Sequence, residues 1–171
     1  MSSIEIRSYE AGDLEACRSL WVELTQWHRD IYDAPGIGGD DPGRKFDAHL
    51  ALFGPELLWV AHDGGEVVGL VGLMTGHDDE VDVEVEPMIV TRSRRGEGIG
   101  RQLVEHVVSI ARSEGHGTLS VRVVGRNRKA IDFYHDQGFT VLGMLELMQD
   151  FREGERPWKA GERLADRDFL V

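Results

Sequence analysis

Glycines stand at positions 96, 98 and 100 of the stretch EPMIVTRSRRGEGIGRQLVEHVV, Glu86 to Val108, with Arg92, Arg94, Arg95 and Arg101 around them. Glycine leaves the backbone bare enough for a ligand to approach closely. The first amides of a helix have no internal partner and lie at the positive end of its dipole. A strand that runs through such a turn into a helix is therefore suited to bind a phosphate or pyrophosphate, and arginine side chains strengthen it. A second basic segment, 122–129, holds Arg122, Arg126, Arg128 and Lys129 without an acid, so eight of the 19 basic side chains fall in two short stretches. Residues 78–86, DDEVDVEVE, show the opposite pattern, with six acids and no base. Two readings fit: a pair of solvated charged faces, or a bipolar site that takes an anion at one end and a cation at the other.

The elements that must position these residues follow from periodicity. Residues 4–9, IEIRSY, read as a first strand. Asp13 is placed to cap a helix from Leu14 to about Tyr32, whose apolar positions Leu14, Cys17, Trp21, Leu24, Trp27 and Ile31 keep a helical spacing. The Gly- and Pro-rich run 33–43 is a loop, followed by a short helix over about 44–53. Two apolar runs flank Asp63-Gly64-Gly65, a hairpin signal. In the strand expected at about 80–90, valines at 81, 83 and 85 alternate with Asp82, Glu84 and Glu86, giving one apolar and one acidic face. The helix after Gly98 lines up Ile99, Leu103, Val107 and Ile110. A strand at 118–124 and a helix over NRKAIDFYHDQG follow, the helix stopped by Gly138. Residues 139–143 and 145–151 are expected to pair as closing strands. The fold class expected is α/β (α+β), a mixed, largely antiparallel central sheet flanked by helices. The chain reads as a single domain over 1–171, with its core at about 4–151 and an unplaced tail at 152–171.

Two common phosphate sites do not fit. No Lys-Ser or Lys-Thr follows the last glycine, and a dinucleotide fingerprint would need a small residue where Arg101 stands. The stretch instead resembles the acyl-CoA signature of the GNAT superfamily of N-acetyltransferases, [Arg/Gln]-x-x-Gly-x-[Gly/Ala], here Arg95, Gly98 and Gly100. NRKAIDFYHDQGF is similar to a second family segment through Asn127, Ala130, Phe133, Tyr134, Gly138 and Phe139, and the resemblance covers about residues 4–151.

The resemblance implies the GNAT acyl-CoA N-acyltransferase fold, with acetyl-CoA as co-substrate. It implies that Met88, Ile89 and Val90 meet the pantetheine arm. The turn and helix start, Arg95, Gly96, Glu97, Gly98, Ile99 and Gly100, would hold the pyrophosphate. Asn127, Ala130 and Tyr134 would reach the donor from the next helix. Acetyl transfer to an amine needs a neutral amine, a stabilised oxyanion and a protonated leaving thiol. Tyr134 occupies the family position of the general acid. Glu84, eleven residues before Arg95, matches the family's general base on this strand, with Glu86 as second candidate. Both share the parity of Met88 and Val90. The alternative, a purely solvated acidic face, stays open. A family branch that carries its glutamate four residues before the asparagine is excluded, because Val123 stands there.

The acceptor implied is the amine of a cationic small molecule or of a peptide. A CoA-binding regulatory module without turnover is the alternative from another class. The net charge of −12 argues against nucleic acid and anionic membrane as partners. No apolar run reaches the ~20 residues of a membrane span, the first residues have no signal-peptide pattern, and the single cysteine, Cys17, suits a reducing cytoplasm. Histidine and cysteine spacing suggests no metal site. A homodimer is expected from the family and from the unplaced tail.

Overall fold

The computed structural model describes residues 4–75, 82–151, 153–154, 160–164 and 166–170. Its elements are β1 (Glu5–Ser8), α1 (Leu14–Tyr32), α2 (Arg44–Phe53), β2 (Leu58–Asp63), β3 (Glu66–Thr75), β4 (Val83–Val90), α3 (Ile99–Ser113), β5 (Leu119–Ser120), α4 (Arg128–Asp136), β6 (Ala160–Leu164) and β7 (Arg167–Leu170). The main sheet has the order β1-β2-β3-β4-β5. Its first four strands pair antiparallel, and β4 pairs parallel with β5. The mixed, largely antiparallel sheet flanked by helices expected from the sequence is thus observed.

Period-two alternation gives each strand two apolar faces, so the sheet is covered on both sides. On one face Cys17 and Leu20 of α1 and Phe46 of α2 pack on Leu58, Val60, Leu70 and Ile89. On the other, Ile99, Leu103 and Val107 of α3 pack on Trp59, Ala61, Val71, Val85 and Val90. Each fully buried side chain of this kind contributes roughly 1.5–3 kcal/mol through removal from water. The β2–β3 hairpin turns at Gly64 and Gly65, both at positive φ, as the Asp-Gly-Gly signal requires.

Three expectations are corrected. Asp13 does not cap α1: a 3-10 turn, Ala11–Asp13, precedes the helix, and the Asp13 carboxylate instead accepts the Glu10 N–H and the Arg7 guanidinium. The strand expected over 118–124 is paired only at Leu119–Ser120. Beyond Glu84 the β4 backbone bulges around Glu86 and Pro87, and proline supplies no N–H, so the parallel ladder stops. Residues 139–151 do not form closing strands. Their apolar residues come in adjacent couples, Val141-Leu142, Met144-Leu145 and Leu147-Met148, so neither face of a strand would be apolar. The segment lies exposed, from Val141 at 88% to Phe151 at 81%. The tail, unplaced from sequence, contains the separate antiparallel pair β6–β7. Residues 78–81 of the acidic run lie outside the described residues.

Candidate active site

The site centres on the place where β4 leaves the sheet and α3 begins. Among the described residues β5 accompanies β4 only through Val83↔Leu119 and Glu84↔Ser120, and residues 121–124 then continue without a strand partner. The edge of β4 that this leaves unpaired is the candidate crevice: Met88, Ile89 and Val90 lie along the outer half of the strand, the junction 91–100 follows it, and α4 comes near where Phe133 approaches Gly100.

At the junction, Gly96 and Gly98 have φ of 87° and 82°, in the left-handed region that favours glycine, and a Cβ built on either would meet nothing within 4 Å. Gly100 differs. A Cβ there would lie 2.9 Å from Met88 Cε and 3.5 Å from Phe133 Cζ, so this glycine allows α3, β4 and α4 to close on one another. The first intrahelical bond runs from Gln102 N–H to the Gly98 carbonyl at 3.1 Å. The N–H groups of Ile99, Gly100 and Arg101 consequently have no carbonyl one turn back. Open space, left-handed glycines and unpaired amides together make a backbone nest of the kind that suits an anion.

The arginines are engaged elsewhere. Arg94 pairs with Asp63 on the hairpin and with Glu97, both at 2.8 Å. Arg95 donates Nε–H to the Val90 carbonyl at 2.9 Å and lies over the Trp27 ring, 5.2 Å from its centroid. Arg101 pairs with Glu105. Arg92 alone of the four makes no ion pair or side-chain hydrogen bond with a described residue. The expectation that the arginine side chains strengthen the anion site is thereby qualified: Arg94 and Arg95 brace the turn, Arg101 pairs along α3, and bare amides face the open space.

The acidic strand also differs from its sequence pattern. Val71 pairs with Met88 and Leu73 with Val85, so β4 carries one residue more than β3 between these pairs. The bulge reverses parity. Val85, Met88 and Val90 all face the α3 core, whereas Ile89 faces α1. Glu84 therefore does not share the face of Met88 and Val90, as plain alternation had suggested. Nor is it solvated. Its side chain is 1% exposed, and Oε1 accepts from Arg122 Nε at 3.0 Å, with the Arg122 side chain 65% exposed. Burying a carboxylate is costly unless it is paired and hydrogen-bonded, as this one is. Glu86 is half-buried within the bulge.

On α4, Asn127 caps the helix, its Oδ1 accepting from Ala130 N–H at 3.3 Å. Tyr134 packs edge-on between Phe133 and Phe139, at centroid distances of 5.0 and 5.5 Å. Burial pushes its phenol pKa well above the ordinary value, so the hydroxyl keeps its proton throughout the neutral range. The crevice wall toward α1 carries Tyr32 and His28, whose rings meet edge-on at 6.3 Å. Arg126 braces this wall by donating to the Ile31 carbonyl at 3.0 Å and stacking over Tyr32. Burial lowers the His28 pKa, so its imidazole is neutral at neutral pH. Among the described residues, no group of three His, Cys, Asp or Glu could hold a metal ion, and no helix is long and apolar enough to cross a membrane. Cys17 is fully buried, and burial pushes its thiol up to about 12, which makes it a packing residue.

The family model described as the acetyltransferase (GNAT) family matches residues 21–139, which include β4, the junction and α4. The chain belongs to the GNAT family. Among its relatives, streptothricin acetyltransferase of Streptomyces lavendulae is 40% identical over 166 residues, covering 84% of this chain and 85% of that protein. Peptidyl-lysine N-acetyltransferase YiaC of Escherichia coli is 29% identical over 137 residues, covering 80% and 84%. This GNAT chain spans only 31% of the mycothiol acetyltransferase of Beutenbergia cavernae that it also matches. A solved structure of the aminoglycoside acetyltransferase AAC(6')-Iy in complex with a bisubstrate analogue aligns with TM-score 0.62, covering 87% of this chain and 99% of that one, at 18% identity. The last likeness concerns the fold.

Sequence reasoning placed the nest, Asn127 and Tyr134 in one region; in the structure the helix that carries Asn127 and Tyr134 nears the start of α3 through Phe133, 3.5 Å from a Cβ built on Gly100. It missed Glu23, Asp63 and Trp27, which hold the junction from 68, 31 and 68 residues away along the chain. No local spacing could have marked them.

Proposed function

We propose that this GNAT acetyltransferase transfers an acetyl group from acetyl-CoA to a primary amine by direct attack on the thioester. The observation that carries the reading is the nest: two left-handed glycines with open space above them and unpaired amides at the start of α3. It fits a diphosphate, because oriented amides and a helix dipole stabilise it without a side-chain cation. When bound, acetyl-CoA supplies an activated acetyl thioester. Residues 95–100 hold its diphosphate end, the β4 edge over Met88, Ile89 and Val90 holds its arm, and Asn127, Ala130 and Tyr134 form the far wall.

The chain's own groups handle the protons. An alkyl ammonium has a pKa of ~10.4, so a base must remove a proton before nitrogen attacks carbon. Glu84 is our first candidate, acting through water because Arg122 occupies one of its oxygens, and Glu86 is the second. The nitrogen adds to the thioester carbon, the C–S bond then breaks as Tyr134 gives its proton to the departing sulfur, and the surplus proton shed by the new amide nitrogen restores the Tyr134 phenol. A backbone N–H near Ile89 or Val90 stabilises the oxyanion. The neutral His28 adds no positive charge to repel an ammonium acceptor.

The acceptor is a cationic small molecule or a lysine side chain. The relatives named for streptothricin and for peptidyl-lysine support one alternative each. Release of CoA thiol from acetyl-CoA, measured against a panel of aminoglycosides, polyamines and lysine peptides, tests the reading. We expect amine-dependent thiol release with one acceptor class preferred at least tenfold in kcat/KM, a difference of about 1.4 kcal/mol in transition-state binding. Tight CoA binding with no amine-dependent release would favour a regulatory module instead.

A further inference from the structure

On the side of α1 the turn that feeds the nest is held by a single carboxylate. Glu23, on α1, accepts the Thr91 hydroxyl on Oε1 at 2.8 Å and the Arg92 backbone N–H on Oε2 at 2.7 Å. Thr91 also continues the sheet, donating its own N–H to the Val68 carbonyl at 2.9 Å. One helical turn along α1, Trp27 lies against the Arg95 guanidinium, which in turn donates to the Val90 carbonyl. Residues 23 and 27 share a helix face. One face of α1 thus grips both ends of the 3-10 turn Arg92–Arg94 that carries the chain from β4 to the nest.

Judged by charge alone, Glu23 is badly placed, since a carboxylate near an anion site opposes binding. A group that costs electrostatically and still makes two charge-assisted hydrogen bonds is there for geometry. We infer that Glu23 is a positioning residue for the donor diphosphate: it fixes the direction in which the chain leaves β4, and so where the amides of 96–100 point. This rests on the acetyl-CoA reading above.

The test compares two donors. S-acetylpantetheine carries the same thioester as acetyl-CoA but no diphosphate. Calorimetric CoA titrations and initial rates with both donors are measured for the parent, Glu23→Ala, Glu23→Gln and Thr91→Val. In Glu23→Ala the Kd for CoA is expected to rise about tenfold or more. The kcat/KM for S-acetylpantetheine should move by less than about twofold. Glu23→Gln should stay close to the parent, because its carboxamide oxygen accepts from Arg92 N–H while its NH₂ donates to the Thr91 hydroxyl. Thr91→Val, which removes only one of the two contacts, should fall between, and it serves if Glu23→Ala does not fold. Equal losses on both donors would show a general stabilising role and overturn the inference. So would Ala and Val variants that bind CoA like the parent, or a Gln variant as weak as Ala. A parent that binds no CoA sinks the acetyl-CoA reading itself. A parent that binds beside unaffected variants sinks only the role of Glu23.

Discussion

The junction and the crevice wall are both crowded with charge, but they use it differently. At the junction Arg94, Arg95 and Arg101 are occupied by Asp63, Glu97, Glu105, Trp27 and a carbonyl, and backbone amides are left facing open space. At the wall the proposed roles fall to side chains: Glu84 is buried against Arg122, and Tyr134 stands between two phenylalanines. A ligand site built from backbone tolerates changes in side-chain charge and fails when the backbone conformation is lost. A site built from side chains behaves the other way round.

The sharpest way to break this contrast is Gly98→Asp. It puts a side chain at φ 82° and a negative charge into the nest. Binding of CoA should fall below detection, a loss of at least ~10²-fold, about 2.7 kcal/mol or more, while Arg95→Ala weakens it far less. Thermal stabilisation by CoA measures both, and a larger loss in the arginine variant would overturn the backbone account.

Next comes Tyr134→Phe. With CoA affinity retained, kcat should drop by ~10²–10⁴-fold, the usual effect of losing one general acid. Burial raises the phenol pKa, so the protonated, active form is kept as pH rises through the neutral range and past the ordinary phenol value of ~10. Single-turnover rates from pH 6 to 10 should show no alkaline decline traceable to this residue. Unchanged turnover in the phenylalanine variant would leave Tyr134 a packing residue.

The smallest effect compares two arginines. Arg122→Met removes an ion-pair partner from a carboxylate that is 1% exposed, and should lower unfolding stability by roughly 1–3 kcal/mol. Arg101→Met breaks a pair exposed on both sides, at 69% and 54%, and should change stability by no more than about 0.5 kcal/mol. Urea melts of the two variants distinguish a wall that depends on side-chain pairing from a surface that does not. Equal losses would remove the distinction.

Much of this arrangement was legible in the sequence. The bounds of α1, the Asp-Gly-Gly turn, the buried stripe of α3 and the left-handed Gly138 all follow from local rules, because each is decided within a few residues. The nest was legible for the same reason. What escaped depends on residues far apart. Arginines beside glycines read as anion ligands until Asp63 and Trp27 are known to lie within reach. Glu84 read as a base on the same face as Met88 and Val90 until the bulge turned that face away from theirs. Pro87 was the one local hint, since proline within a strand marks an edge or a bulge. The closing strands failed because adjacent apolar couples imitate strand composition without strand periodicity.

The bulge of β4 acts as a phase setting for the whole outer half of that strand. Between Val85 and Met88 the alternation resets, so the inner and outer halves are keyed to the two helical layers independently. Deleting or inserting a single residue there would turn Met88 and Val90 toward α1 and Ile89 toward α3, and would rotate the departing chain with them. Substitutions on either half leave the other in place. Diversification of this strand is accordingly open to exchanges of side chain and closed to changes of length, which makes the spacing from Glu84 to the nest a fixed ruler while the residues along it are free to vary.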